Sequence, residues 1–202
     1  MRAAGELRPA ERSGIVGSYL SAIDFALERL GDDDLVYLAE DDYLYTETAF
    51  TALFAAANAL PRASYFGLYA SIFLPRSQGF WVDDVLWHTA EGTTLSFAAR
   101  IGALRADRRL HELTCRVGAV VDTEVCLAYQ GRKPYPWKQL LVDQRRRRAV
   151  GRAWVNGIAW WRGFRPRMLV AAQPALATHV ELPYLAEGID WEAAAKRETD
   201  GG

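Results

Sequence analysis

An apolar run of five residues, Leu35-Val36-Tyr37-Leu38-Ala39, ends without transition in three acids, Glu40, Asp41 and Asp42, and is bounded on its other side by Asp32-Asp33-Asp34. A short uncharged segment between charged flanks reads as a buried strand of an α/β sheet, and ligands in open α/β sheets gather beyond the carboxyl ends of strands. The acids therefore stand where chemistry gathers. Neighbouring carboxylates repel one another, and a cation relieves that cost; hard oxygen donors suit Mg²⁺ or Mn²⁺. The plainer alternative is a solvated turn after the strand.

Helical and strand periodicities surround this segment. Leu20, Ile23, Leu27 and Leu30 predict a helix over Gly17 to Leu30 with Gly31 as its stop. A second helix is expected from about Glu47 to Leu60, with Thr46 as cap, Phe50, Leu53, Phe54 and Ala57 as its apolar face, and Pro61 ending it. Ser64 to Tyr69 reads as a strand, which gives a right-handed parallel strand, helix, strand unit. Ala70 to Glu91 has no clear period and reads as a long excursion over the sheet, of the kind that is more often functional than decorative. A strand over Thr93 to Ala99, helices over Ile101 to Leu113 and Val120 to Tyr129, and an apolar run at Met168 to Ala172 complete the pattern.

With 202 residues, half of them hydrophobic, the chain can bury one sizeable core, and neither a repeat nor a linker marks a second domain. Residues 1–12 and 193–202 read as disordered ends around a single domain over 13–192. No window offers the ~20 apolar residues of a membrane span, and no secretory signal opens the chain, which implies a cytoplasmic protein. Cys115 and Cys126 have neither a disulfide framework nor metal spacing and read as core thiols.

A net charge of −1 conceals an asymmetry. Between Asp143 and Glu181 there is no acid, while Arg145, Arg146, Arg147, Arg148, Arg152, Arg162, Arg165 and Arg167 all fall there, so an anionic partner is expected. Trp154, Ile158 and Trp161 share a helical face within this interval, the composition of an interfacial helix at the inner face of a membrane. The glycines at 151, 157 and 163 weaken such a helix, and a basic loop closing over phosphate is the alternative. Two further features carry chemistry. Asp122 and Glu124 lie two apart on a predicted helix, so only one of them faces a given site, as a general base, and the other is a surface or salt-bridge residue. His179, in Ala177-Thr178-His179-Val180-Glu181, is either a ligand or a structural histidine.

The stretch Asp-Asp-Asp-Leu-Val-Tyr-Leu-Ala-Glu-Asp-Asp-Tyr-Leu at 32–44 resembles the DXD-type strand end of GT-A nucleotide-sugar glycosyltransferases, family 2-like bacterial enzymes above all. Thr93 to Arg100 looks like their acceptor-side strand, and Ala177 to Glu181 with Ile189-Asp190-Trp191 looks like their closing segment. The resemblance implies a partial GT-A-like fold, a mostly parallel mixed sheet flanked by helices. It implies transfer of a sugar from a nucleotide-diphosphate donor to a hydroxyl acceptor (glycan, lipid-linked or small molecule) with Mn²⁺ or Mg²⁺. Asp42 and His179 would bind the metal, Glu40, Asp41 and Arg100 would contact the cofactor, and Asp122 or its rival Glu124 would deprotonate the acceptor. Few residues precede Glu40, so the chain would correspond to the C-terminal portion of such a domain, its N-terminal nucleotide-binding part absent. A sheet flank left open in this way invites pairing with another copy or a partner chain. The alternative is a non-catalytic truncated relative that binds or scaffolds. A metal-dependent phosphohydrolase is disfavoured, because no second cluster of His and Asp supplies a two-metal site, and no feature points to nucleic acid.

Overall fold

The computed structural model describes residues 14–69, 78–118, 122–142, 146–181 and 185–200. Eight strands and seven helices follow in the order α1 (Ile15–Arg29), β1 (Leu35–Leu38), β2 (Tyr43–Tyr45), α2 (Ala49–Ala59), β3 (Ala63–Gly67), β4 (Gly79–Val82), β5 (Val85–Thr89), β6 (Phe97–Arg100), α3 (Ile101–Val117), α4 (Asp122–Tyr129), α5 (Trp137–Val142), α6 (Arg146–Arg162), β7 (Met168–Gln173), β8 (Ala177–His179) and α7 (Trp191–Asp200) among the described residues. The fold is α/β. Six strands form one sheet in the order β1-β6-β3-β7-β5-β4, and β2 and β8 form a separate ribbon.

The sheet is mixed but mostly antiparallel, which corrects the expectation of a mostly parallel one. Only β3 and β7 pair in parallel, while β1·β6, β3·β6, β5·β7 and β4·β5 are antiparallel. β1 and β3 do point the same way, as a strand, helix, strand unit requires, but β6 lies between them and runs against both. The other source of antiparallel pairing is the segment read as an excursion. Its residues 79–89 form a two-residue hairpin, Val82 facing Val85, and β5 adds it to the sheet against β7. Residues 70–77 of that segment lie outside the described residues.

Alternation along the central strands divides the core into two layers, because successive side chains of a strand point to opposite faces. Tyr65, Ala99, Leu169 and Ala171 face a layer that contains Ile23 of α1, Leu104 of α3, Tyr129 of α4 and Val155 of α6. Phe66, Ala98, Val170 and Ala172 face the second layer, which holds Leu53 of α2, Trp191 of α7, and Tyr43 and Ala177 of the ribbon. α1 buries Leu20 and Ile23 as its period predicts. α2 differs: it buries Ala49, Leu53, Ala56 and Ala57, whereas Phe50 and Phe54 are turned outward, and it starts after Thr48 rather than Thr46. The C-terminal residues read as a tail form α7. Asp190 caps it, its Oδ1 accepting the Ala193 amide at 3.0 Å, and the Trp191 indole donates to the Ala186 carbonyl at 2.7 Å.

Candidate functional site

The acidic end of β1 is fixed by two separate contacts. The Glu40 amide donates to Ser96 Oγ at 2.9 Å, which ties the turn to the residue just before β6. Beyond the turn, β2 pairs antiparallel with β8 in the register Tyr43 to His179, Leu44 to Thr178 and Tyr45 to Ala177. The ribbon is closed at each end by a further backbone bond: the Val180 amide donates to the Asp42 carbonyl at 2.9 Å, and the Thr46 amide to the Leu176 carbonyl at 3.0 Å. The Leu176 amide also donates to the Leu68 carbonyl at 2.8 Å, so the ribbon is anchored just past the carboxyl end of β3.

This register brings two of the sequence-predicted residues together. His179 Nε2 stands 2.9 Å from Asp42 Oδ2. The other ring nitrogen, Nδ1, accepts the Glu181 amide at 3.2 Å, so the neutral imidazole carries its proton on Nε2 and donates it to Asp42. The second carboxylate oxygen, Asp42 Oδ1, is buried and has no hydrogen-bond partner among the described residues, although the side chain as a whole is 43 % exposed. A desolvated carboxylate oxygen with nothing to accept from is costly, and it is the feature of the site that calls for a cation or a donor group.

Tyrosines surround the pair. The Tyr43 ring meets the His179 ring edge-on at 5.3 Å and the Tyr69 ring at 5.9 Å; Tyr37 and Tyr45 meet at 5.9 Å. Burial pushes the Tyr37, Tyr43 and Tyr45 phenols above their ordinary range. The negative charges of Glu40 and Asp42 raise Tyr43 and Tyr45 further, which places Glu40 in the same electrostatic environment as Asp42. These phenols stay protonated at any physiological pH; the Tyr37 and Tyr45 hydroxyls are buried, and Tyr43 is 8 % exposed. A cleft of about 620 Å³ opens beyond the other end of β2, lined among others by Tyr45, Thr46, Phe50, Ile189 and Asp190, and neither Asp42 nor His179 lines it. Sequence reasoning reaches Tyr69, together with Phe80, Trp81 and Trp87, as a candidate aromatic face for a sugar, but passes over Tyr43 and Tyr45 as site members, although their alternation directly after the acids carries that signal.

The remaining predicted residues fall elsewhere. Asp41 is exposed in the turn. Arg100 lies at the far end of β6, paired with Leu35 at the start of β1, at the opposite end of this strand pair from Glu40. Its guanidinium donates to the carbonyls of Ala57 and Ala63, which makes it a cap for the end of α2 rather than a contact of the acidic site. Glu124 stands on α4, in the helical layer on the other face of the sheet, where its charge acts on Tyr135. Asp122 opens α4, and its side chain lies outside the described residues. Among the described residues no three His, Cys, Asp or Glu side chains converge, so a metal at the site would take two protein donors. No protein-family model matches the chain, and no curated protein or solved structure is similar to it at a significant level.

Proposed function

We propose that the chain is a metal-assisted glycosyltransferase, moving a sugar from a nucleotide-diphosphate donor to a hydroxyl acceptor at the carboxyl end of β1. One observation carries this reading: Asp42 and His179, remote in sequence, meet at 2.9 Å beside the acidic turn. Asp42 and His179 would hold Mn²⁺ or Mg²⁺, with Glu40 nearby. The ion supplies charge stabilisation for the departing diphosphate. The chain's own groups do the rest. As a ligand through Nε2, His179 would carry its proton on Nδ1 and no longer accept the Glu181 amide. The Tyr43 ring, edge-on to His179, offers an aromatic wall against which a sugar face can pack. A non-catalytic binding protein is the second reading, favoured by the placement of Glu124 on the opposite sheet face.

Calorimetric titration of a nucleoside diphosphate with and without Mn²⁺ separates them. Under the enzyme reading binding requires Mn²⁺, and Asp42→Ala or His179→Ala weakens it about a hundredfold, since a divalent clamp on a diphosphate is worth several kcal/mol. No binding at millimolar nucleotide would overturn the reading in favour of a scaffold. Release of inorganic phosphate from simple phosphoesters would replace it with a hydrolase.

A further inference from the structure

Large apolar side chains stand in solvent along one side of α6: Val150, Trp154, Trp160 and Trp161 are each at least 60 % exposed, and Phe164 follows just past the helix end at 69 %. Arg147, Val150, Trp154, Gly157, Trp161 and Phe164 recur at alternating steps of three and four, which is one face of a helix. The opposite face is the structural one. Val155 and Ala159 are fully buried in the core, Asn156 clasps the backbone of Tyr135 through both its amide atoms, and Arg162 is held by the buried Asp107. Among the described residues the outer face belongs to neither layer of the core. Trp160 and Trp161 each meet Phe164 edge-on, at 5.6 and 5.8 Å, which makes a continuous aromatic ridge. Contiguous exposed aromatics of this extent mark a surface that is covered in use.

What covers the ridge follows from the charges around it. Arg147 and Arg165 are exposed at its two ends, and the segment from 144 to 180 contains no acid to answer them. A second copy packed on this face by two-fold symmetry would set arginine against arginine. A bilayer with anionic headgroups meets both features at once, since tryptophan settles at the headgroup level and arginine binds lipid phosphate. The helix, 17 residues or about 25 Å long, lies flat rather than across: among the described residues no helix is long and apolar enough to span a membrane. We propose that α6 is an interfacial anchor that lies in the plane of an anionic membrane, with Val150, Trp154, Trp161 and Phe164 inserted and Arg147 and Arg165 on lipid phosphates. The inference is independent of the chemistry at Asp42.

Co-sedimentation with phosphatidylcholine vesicles, with and without phosphatidylglycerol, tests it on the full chain. The protein is expected to partition onto the phosphatidylglycerol vesicles. The double change Arg147→Gln with Arg165→Gln should lower the partition coefficient roughly 20- to 30-fold, about fivefold per charge. Trp154→Ser with Trp161→Ser should abolish binding to either vesicle, while far-UV circular dichroism stays native because both indoles are exposed. Failure of the native chain to bind phosphatidylglycerol vesicles overturns the proposal, as does equal binding by both double variants. Concentration-dependent dimerisation in sedimentation velocity that disappears in the tryptophan variant overturns it in favour of a second copy.

Discussion

His111 is fully buried on α3, its Nδ1 hydrogen-bonded to the Tyr19 hydroxyl at 2.6 Å, and burial, aided by the Arg108 guanidinium, pushes its pKa from 6.5 down to about 3. The folded value lies below the unfolded one, so between these limits the unfolded chain accepts a proton that the folded chain refuses. Stability is then fully present above pH 6.5 and drains as the pH falls toward 3, by about 1.4 kcal/mol per unit. Asp107, raised by burial, works in the opposite direction at lower pH. The expected result is a loss of roughly 2 kcal/mol between neutral pH and about pH 5 in urea unfolding, absent in His111→Gln. An equal slope in both proteins would show that His111 is not its source. Single residues were unevenly legible in the sequence. The acids at 40–42 announced themselves through the apolar run before them, whereas His179 gained its place beside Asp42 from a resemblance and from no spacing rule. His111 and Asp107 gave no sign at all, because the spacing of Leu104, Asp107, His111 and Thr114 marks a buried helical face and their residue types conceal it.

α6 shows why an element can be stronger than its residues suggest. Gly151, Gly157 and Gly163 weaken a helix in isolation, yet two of them are where neighbouring backbone or side chains come closest. A Cβ on Gly151 would overlap the Val117 side chain at the end of α3, and Gly163 lies against Gly131, itself at φ +78°, a conformation suited to glycine. Helix packing thus offsets a propensity that, read alone, left a loop as open a reading as a helix. Gly157 differs, with nothing within 4 Å of the point where a Cβ would stand. Gly157→Ala is expected to stabilise the protein by about 0.5–1 kcal/mol, and Gly151→Ala to destabilise it by about 1–3 kcal/mol, read from chemical denaturation midpoints. Matching signs for the two would refute the close approach of α6 to α3. The β4–β5 hairpin was legible in principle: Asp83-Asp84 sits between β-forming residues, and Asp83 adopts φ 49°, which aspartate tolerates in tight turns. Its exposed Trp81 beside buried Val82 and Trp87 is the alternation that a search for helical periods passes over.

The strand order was the least legible feature, because no local pattern reports that β6 inserts between β1 and β3, and strands of three to six residues carry little register information of their own. What binds the two layers into one molecule is the central sheet, with a buried ionic cluster on one side. Asp107 of α3, fully buried, receives Arg162 from α6, Arg167 from the approach to β7, and the Tyr65 hydroxyl from β3 at 3.0 Å. An asparagine here replaces an accepting oxygen with an N–H donor facing a guanidinium, and leaving buried donors of this kind unanswered costs about 1–3 kcal/mol. Asp107→Asn is therefore expected to lower stability by about that much, and the test of unity is where the loss appears. Five of the seven tryptophans are more than half exposed, and the two buried ones, Trp87 and Trp191, both belong to the layer on the other face of the sheet from Asp107. Immobilised indoles dominate the near-ultraviolet circular dichroism, so that signal reports the far layer while the far-ultraviolet signal reports all helices. A single cooperative unit requires the two transitions to coincide in the native chain and to shift together in Asp107→Asn. If only the far-ultraviolet transition moves, the sheet does not couple its faces, and the site held by β2 and β8 is stabilised independently of the helical layer behind it.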